Sequence, residues 1–354
     1  MAKPMLTIDA SALDTFNSKT FVAEVFDGFD DADTTYYGGT PDSAYGGTYY
    51  VNGSQVLNRY SADTTETDYV TVLDGTEIAY DFIHHGASFG HGISGEVDSL
   101  VFGMWVEGTT TAEEGTGAAG RVDGLDTLLT IDGLGLSADP GAGNDLETNA
   151  VYALYKAVQT FDADAIMELI SGYSIKLLGS AGDDVLKGFD LDDVLNGGAG
   201  DDVLRAGKGA DALRGGEGAD SLYGARGDDF LGGGEGNDTL VGGKGDDTIR
   251  GGKGADELRG GGGDDKIIGG AGKDILVGGD GADVFFFQPG SGVDTIRDFG
   301  VAMDRIDLSA LDVASFDDVS TKDVAAGVRL TADGVSILLN GVGESDLSAE
   351  LFLF

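Results

Sequence analysis

The sequence predicts a multidomain chain: an α+β N-terminal domain with a curved antiparallel sheet plus helices, then a parallel β-roll, then a β-rich C-terminal cap. Three observations carry this. Residues 1 to about 174 mix strand-like and helical stretches and hold the single Trp105 and all three histidines. A nine-residue glycine–aspartate pattern then repeats between Gly179 and Phe286, and the stretch from Phe287 to Phe354 is poorer in glycine and rich in aliphatic and acidic residues. The domains are read as 1–174, 175–290 and 291–354.

In the first region, Tyr69–Leu73 and Ile78–Ile83 alternate apolar and polar residues as strands do. Asp74-Gly75 between them predicts a hairpin turn, lengthened by Thr76-Glu77. Ser99–Val106 is a third strand candidate. From Glu147 to Gln159 the period changes, with Val151, Leu154, Tyr155 and Val158 on one helical face. A second helix is expected over Ala163–Ser171, with Asp162 as N-cap and Gly172 as stop. Strands followed by helices point to an α+β arrangement.

Among 354 residues, 63 Asp and Glu face 21 Lys and Arg, a net charge of -42. Such a chain makes a poor partner for nucleic acid or an anionic membrane surface. A hydrophobic content of 41% argues against wholesale disorder, so the carboxylates read as sites for cations. The absence of cysteine excludes disulfides and thiolate metal sites. No run reaches the roughly 20 apolar residues of a membrane span, and the first residues lack a charged-then-apolar leader, so export by a route that reads another signal is expected.

The repeat fits GGxGxDxUx, U being a large apolar residue, in twelve consecutive blocks. The sixth position is Asp184, Asp193, Asp202, Asp211, Asp220, Asp229, Asp238, Asp247, Asp256, Asp265, Asp274 and Asp283. The eighth runs from Leu186 to Phe285. Glycines permit the positive φ of a tight loop whose carbonyls converge. The Asp carboxylate joins them, and hard oxygen donors suit calcium. The last three residues of each block form a short strand with U inward. Two blocks make one turn, so loops n and n+2 stack and share an ion, giving about ten sites on a rod roughly 29 Å long. Gly188-Phe189-Asp190-Leu191-Asp192 lacks the second and fourth glycines, which puts the site at Asp193 in doubt. Without calcium, close-packed aspartates repel and the roll is expected to be unfolded.

This region resembles the RTX family of type I-secreted proteins. The segment Phe285–Phe299 and Asp304–Ser309 is similar to the piece that closes the roll in serralysin-type proteases and their relatives. Glu350 followed by Leu351-Phe352-Leu353-Phe354 resembles the C-terminal signal read by type I secretion systems. The resemblance implies a secreted, extracellular protein with the type I secretion apparatus as partner.

The roll does not by itself give the activity of the first domain. A zinc protease needs HExxH, and His84, His85 and His91 do not form it. Gly86-Ala87-Ser88-Phe89-Gly90 matches the short GxSxG elbow of lipases, but only His91 follows it and no helix-forming stretch does, so a hydrolase is the less favoured reading.

Tyr80, His91 and the segment Glu96-Val97-Asp98-Ser99-Leu100-Val101-Phe102-Gly103 remain. On these residues, with Tyr45-Gly46-Gly47, the first region is similar to the secreted heme-carrier (hemophore) family. That resemblance implies a non-enzymatic carrier of heme b, with Tyr80 as axial ligand to ferric iron and His91 hydrogen-bonded to the phenolate. It also implies an outer-membrane heme receptor as partner. Many members carry a second ligand, often histidine, on an early loop. Here that loop, about Asp31 to Thr40, has none, so Tyr36 or Tyr37 substitutes, or Tyr80 ligates alone. His84 and His85 read as solvated loop residues, extra ligands or a small metal site. The rival reading is a calcium-dependent structural or adhesive protein whose first domain binds a surface or a protein.

Overall fold

The computed structural model describes residues 170–354 throughout; before them it describes Glu168 and the backbone of eight strands. These are β1 Leu6–Asp9, β2 Asp31–Tyr37, β3 Pro41–Asp42, β4 Tyr49–Tyr50, β5 Gly53–Ala62, β6 Thr65–Asp81, β7 Gly92–Met104 and β8 Asp126–Ala138. The chain divides into two compact units near residue 173.

In the first unit the strand order is β2-β5-β6-β7-β8-β1, every neighbouring pair antiparallel, and β3 pairs with β4. Asp74-Gly75 does not turn the chain, contrary to the hairpin expected there. A single strand, β6, runs through it and pairs with β7 from Tyr69↔Met104 to Asp81↔Gly92. The register shifts at Asp74/Gly75 and between Thr76 and Ala79. A turn-prone dipeptide is thus absorbed as a bulge, where glycine costs little. The expected early loop is likewise strand β2 as far as Tyr37. Asp31–Tyr37 is held in register against Tyr37↔Gln55 through Asp31↔Ser61 of β5. The third strand expected at Ser99–Val106 starts earlier, at Gly92. The helix over Glu147–Gln159 lies outside the described residues, as does most of the second; Glu168 and Ile170 are helical and Gly172 is in a turn.

The second unit is a parallel two-sheet roll. Its strands are β9 Ile175–Leu178, β10 Val185–Lys187, β11 Val194–Ala199, β12 Val203–Lys208, β13 Ala212–Glu217, β14 Ser221–Arg226, β15 Phe230–Glu235, β16 Thr239–Lys244, β17 Thr248–Gly254, β18 Glu257–Gly262, β19 Lys266–Gly272, β20 Ile275–Asp280 and β21 Val284–Phe286. Odd strands from β9 stack in one sheet and even strands from β10 in the other. Each repeat-to-repeat pairing joins residues 18 apart, as in Leu204↔Leu222 and Leu213↔Leu231. Two blocks therefore make one turn, as the repeat length requires.

The inward U side chains form the core. From Leu186 through Leu240, Ile249 and Leu276 to Phe285 they are 0% exposed. Each contributes about 1.5–3 kcal/mol by leaving water.

Most strands are six residues long rather than the expected three. Pairing resumes after the first position of the next block, so that Gly207↔Ala225 and Lys208↔Arg226 continue the ladder begun at Val203↔Ser221. Backbone pairing needs no side chain, so the glycine half of the block joins the sheet.

Six further strands follow: β22 Val293–Ile296, β23 Arg305–Asp307, β24 Ser320–Val324, β25 Gly327–Ala332, β26 Val335–Asn340 and β27 Phe352–Leu353. The first two prolong the roll, with Ile275↔Thr295 and Val284↔Arg305 in register, so both ladders run on past Gly290. β26 then adds in parallel to β22, and β25 and β24 follow antiparallel. β27 adds in parallel to β23. Phe352 stacks on Phe316 at 4.9 Å, so the C-terminal Leu351 and Phe352 are built into the cap as buried residues.

Candidate metal centre

The turn before each inward strand places its aspartate. At Gly198 (φ 113°) and Gly200 (φ 108°) the backbone enters the left-handed region that glycine tolerates, and the loop closes over Asp202. A side chain at Gly197 would overlap Asp202 Oδ2 and the Gly215 carbonyl oxygen, so that space is lined by oxygen.

One carboxylate oxygen binds the neighbouring turn. Oδ1 of Asp202, Asp211, Asp220, Asp229, Asp238, Asp247, Asp256, Asp265, Asp274 and Asp283 accepts from the backbone N–H of the aspartate 18 residues earlier, at 2.7–3.1 Å. The other oxygen of the same ten residues is buried with no hydrogen-bond partner. Asp184 and Asp193 differ. Oδ2 of Asp184 accepts from Ser180 N–H at 2.5 Å, and Oδ2 of Asp193 accepts from Phe189 N–H at 2.7 Å.

Burial is the main cause that pushes these carboxyls upward. It takes Asp202, Asp211, Asp247 and Asp256 to about 7, and Asp193, Asp220, Asp229, Asp265 and Asp283 to about 6. Asp238 and Asp274 move in the same direction for the same reason. Like-charged aspartates in adjacent turns add to the rise at Asp202 and Asp211. A column of buried carboxylates with free oxygens calls for cations. Among the described residues no three His, Cys, Asp or Glu side chains converge, so the further donors on hand are loop carbonyls. An all-oxygen set of this kind fits calcium.

Sequence reasoning missed a second polar column at the fifth position. Asp183, Asp192, Asp201, Asp228, Asn237, Asp246 and Asp264 each accept, through Oδ1, the backbone N–H 18 residues later. These exposed side chains staple the rim of the loops. Their recurrence at one block position was the available signal.

The pattern of residues 176–204, 187–222, 196–231, 232–267, 250–285 and 259–296 matches the family model of the RTX calcium-binding nonapeptide repeat. Residues 176–296 are RTX repeats. No curated protein matches the sequence. Among solved structures, the hemophore HasA from Yersinia pestis is 16% identical, with a TM-score of 0.34 over 47% of this chain and 87% of that one. The extracellular lipase LipA from Serratia marcescens is 18% identical, with a TM-score of 0.26 over 51% of this chain and 40% of that one. The AlgE6R3 subunit of the Azotobacter vinelandii mannuronan C5-epimerase is 26% identical, with a TM-score of 0.20 over 50% of this chain and 81% of that one. The RTX roll is a calcium-binding module.

Of the candidate heme residues, Tyr80 lies near the end of β6 and pairs with Ile93 of β7. Tyr36 and Tyr37 lie on β2, which β5 separates from β6. His84, His85, His91 and the Gly86–Gly90 elbow lie outside the described residues. Among the described residues, no helix is long and apolar enough to cross a membrane.

Proposed function

We propose that this protein is an extracellular heme-binding carrier whose RTX roll folds on calcium after type I export. The observation that supports the heme assignment best is the β6–β7 register. Tyr80 pairs with Ile93 and Asp81 with Gly92, and His91 is the residue immediately before Gly92. Tyr80 thus stands at the end of β6 that pairs with the start of β7, and His91 directly precedes that start in the sequence.

Phenolate is a hard anionic donor suited to ferric iron. A neutral imidazole that accepts the tyrosine proton raises the donor's basicity, and protonation of His91 weakens the grip. Tyr80 holds the heme b iron, His91 holds the phenolic proton, and Tyr36 or Tyr37 supplies a second ligand or Tyr80 serves alone. The carrier passes heme to an outer-membrane receptor and catalyses nothing. The buried aspartate column keeps the roll unfolded where calcium is scarce and folds it where calcium is abundant.

Hemin titration followed in the visible spectrum tests the cargo. A shifted Soret band in the wild type, altered in Tyr80→Phe, is expected. No shift in the wild type rejects heme and leaves the adhesive reading. An unchanged band in Tyr80→Phe moves the ligand elsewhere.

A further inference from the structure

We propose that the outer face of the odd-strand sheet carries a binding site for a planar aromatic acid, in the slot above Gly232 between Arg214 and Arg250. The three residues stand in one row across β13, β15 and β17, with Arg214↔Gly232 and Gly232↔Arg250 in register. Each is the ninth residue of its block, which points away from the core because the eighth points inward. Adjacent strands lie about 4.8 Å apart, so the two arginines stand roughly 10 Å apart with no side chain on the strand between them. A groove of about 480 Å³ lies there, a size typical of small-molecule sites.

The fold does not require glycine at 232. A Cβ there would meet nothing nearer than Phe230 Cε1 at 3.8 Å, whereas one at Gly233 would overlap Asp238 Oδ2. Nor does Gly232 share the left-handed backbone of Gly234 (φ 125°). The opposite sheet shows what such a row accommodates. Tyr223 fills the ninth position on β14, and Arg205, its partner on β12, lies over the ring at 4.9 Å. In the Arg214–Gly232–Arg250 row the cations stand on both sides and the ring is missing. A ligand ring standing on Gly232 takes the place that Tyr223 holds on the other face.

Charge adds the acid. The outward seventh and ninth positions of the odd strands β11 to β21 hold Arg214, Arg250 and Lys266 and no Asp or Glu, in a chain of net charge -42. Arg214 and Arg250 are exposed, and neither forms an ion pair among the described residues. Phe230, 41% exposed on the same strand as Gly232, closes one end of the slot with an apolar wall. Guanidinium groups stack on aromatic faces and fork onto carboxylates, and the slot offers both contacts to one molecule. The backbone groups of β13, β15 and β17 are taken up in their own ladder, so a peptide main chain finds few partners on this face. A free ring acid needs none.

Equilibrium dialysis of naphthoate against the full-length protein in saturating calcium tests the site. Wild type is expected to bind it saturably. Naphthamide, which lacks the charge, and cyclohexanecarboxylate, which lacks the π face, should bind more weakly. Arg214→Gln and Arg250→Gln should each weaken naphthoate about three- to tenfold, through loss of one stacked and forked contact. Gly232→Tyr fills the slot from within and should abolish binding while the circular dichroism of the roll is unchanged. Arg205→Gln, whose guanidinium already lies on Tyr223, should bind as wild type does. Absent or unsaturable binding by wild type overturns the site. So does full binding by Gly232→Tyr, or an equal loss in Arg205→Gln, which marks attraction to charge alone. Equal binding of naphthamide or cyclohexanecarboxylate overturns the ligand class. Should Gly232→Tyr not fold, the two exposed arginines decide: wild-type affinity in both variants overturns the proposal.

Discussion

Asp202 Oδ1 accepts the backbone N–H of Asp184 at 2.8 Å, one turn earlier, while its Oδ2 is buried and unpartnered. One side chain thus staples two turns with one oxygen and offers the other to a cation. The two roles come apart in a carboxylate-to-amide change, which keeps the acceptor and deletes the charge.

Asp238→Asn is the first case. The Oδ1 staple to Asp220 N–H survives, but the open oxygen no longer carries charge. The calcium midpoint for gain of β-sheet circular dichroism is expected to rise several-fold. The exposed Asp246→Asn, in the fifth-position column, should leave the midpoint near the wild-type value. Equal midpoints for wild type and Asp238→Asn would remove the column from calcium binding.

The column also sets a pH dependence. Nine of its carboxyls, Asp202 and Asp220 among them, are pushed from an ordinary value of 3.8 up to about 6 or about 7 in the folded roll, chiefly through burial. A raised folded value means that the folded roll holds more protons than the unfolded chain between about pH 4 and about pH 7. Calcium-free stability is therefore greatest below about pH 4 and is lost as pH rises through about 7. In a chelator, the β-sheet signal should grow on acidification. Calcium affinity should fall over the same window, since the ion displaces protons. A chelator-treated protein with a flat signal from pH 4 to pH 8 contradicts this account.

Leu240 is 0% exposed in the inner stack. Leu240→Ala should cost about 2–5 kcal/mol in saturating calcium, read from denaturant unfolding. Because each turn touches only its neighbours, the loss should be local, with hydrogen exchange quickened around β16 more than near β10. Uniform loss along the roll would show that it unfolds as one unit.

Ala225 adopts φ 84° at a block position that glycine usually holds. Relief of that strain outweighs the added chain entropy, so Ala225→Gly should stabilise the calcium-loaded roll by about 0.5–1 kcal/mol. A thermal melt in saturating calcium checks the sign.

The repeating half of the fold was legible because its determinants are side chains in phase. Leu204, Leu222 and their equivalents specify the interior, and Asp202 and Asp220 specify the loops. What escaped notice depends on backbone alone. Gly207 and Lys208 pair with Ala225 and Arg226 without any apolar signature, so strands twice the expected length were invisible. Asp294 and Asp304 escaped because spacings of 20 and 21 residues conceal a ladder that the backbone keeps in step. In the first unit, Asp74-Gly75 carries the same local chemistry in a bulge as in a turn. Only pairing with β7 distinguishes them.

The direction of the aspartate staples gives the rod a polarity. Every amide in the column is satisfied by the turn that comes after it, up to Asp274 and Asp283, which depend on Asp294 and Asp304. Removal of the last turns strands two buried N–H donors, and the damage can travel backwards one step at a time. Removal of the first turn instead takes acceptors from donors of the next, such as the exposed Asp201 N–H on Asp183 Oδ1 and the Val203 N–H on the Asp184 carbonyl. The buried column therefore hangs each turn on the one after it, while the exposed rim column hangs each turn on the one before it, so the roll is held from both ends by staples of opposite sense.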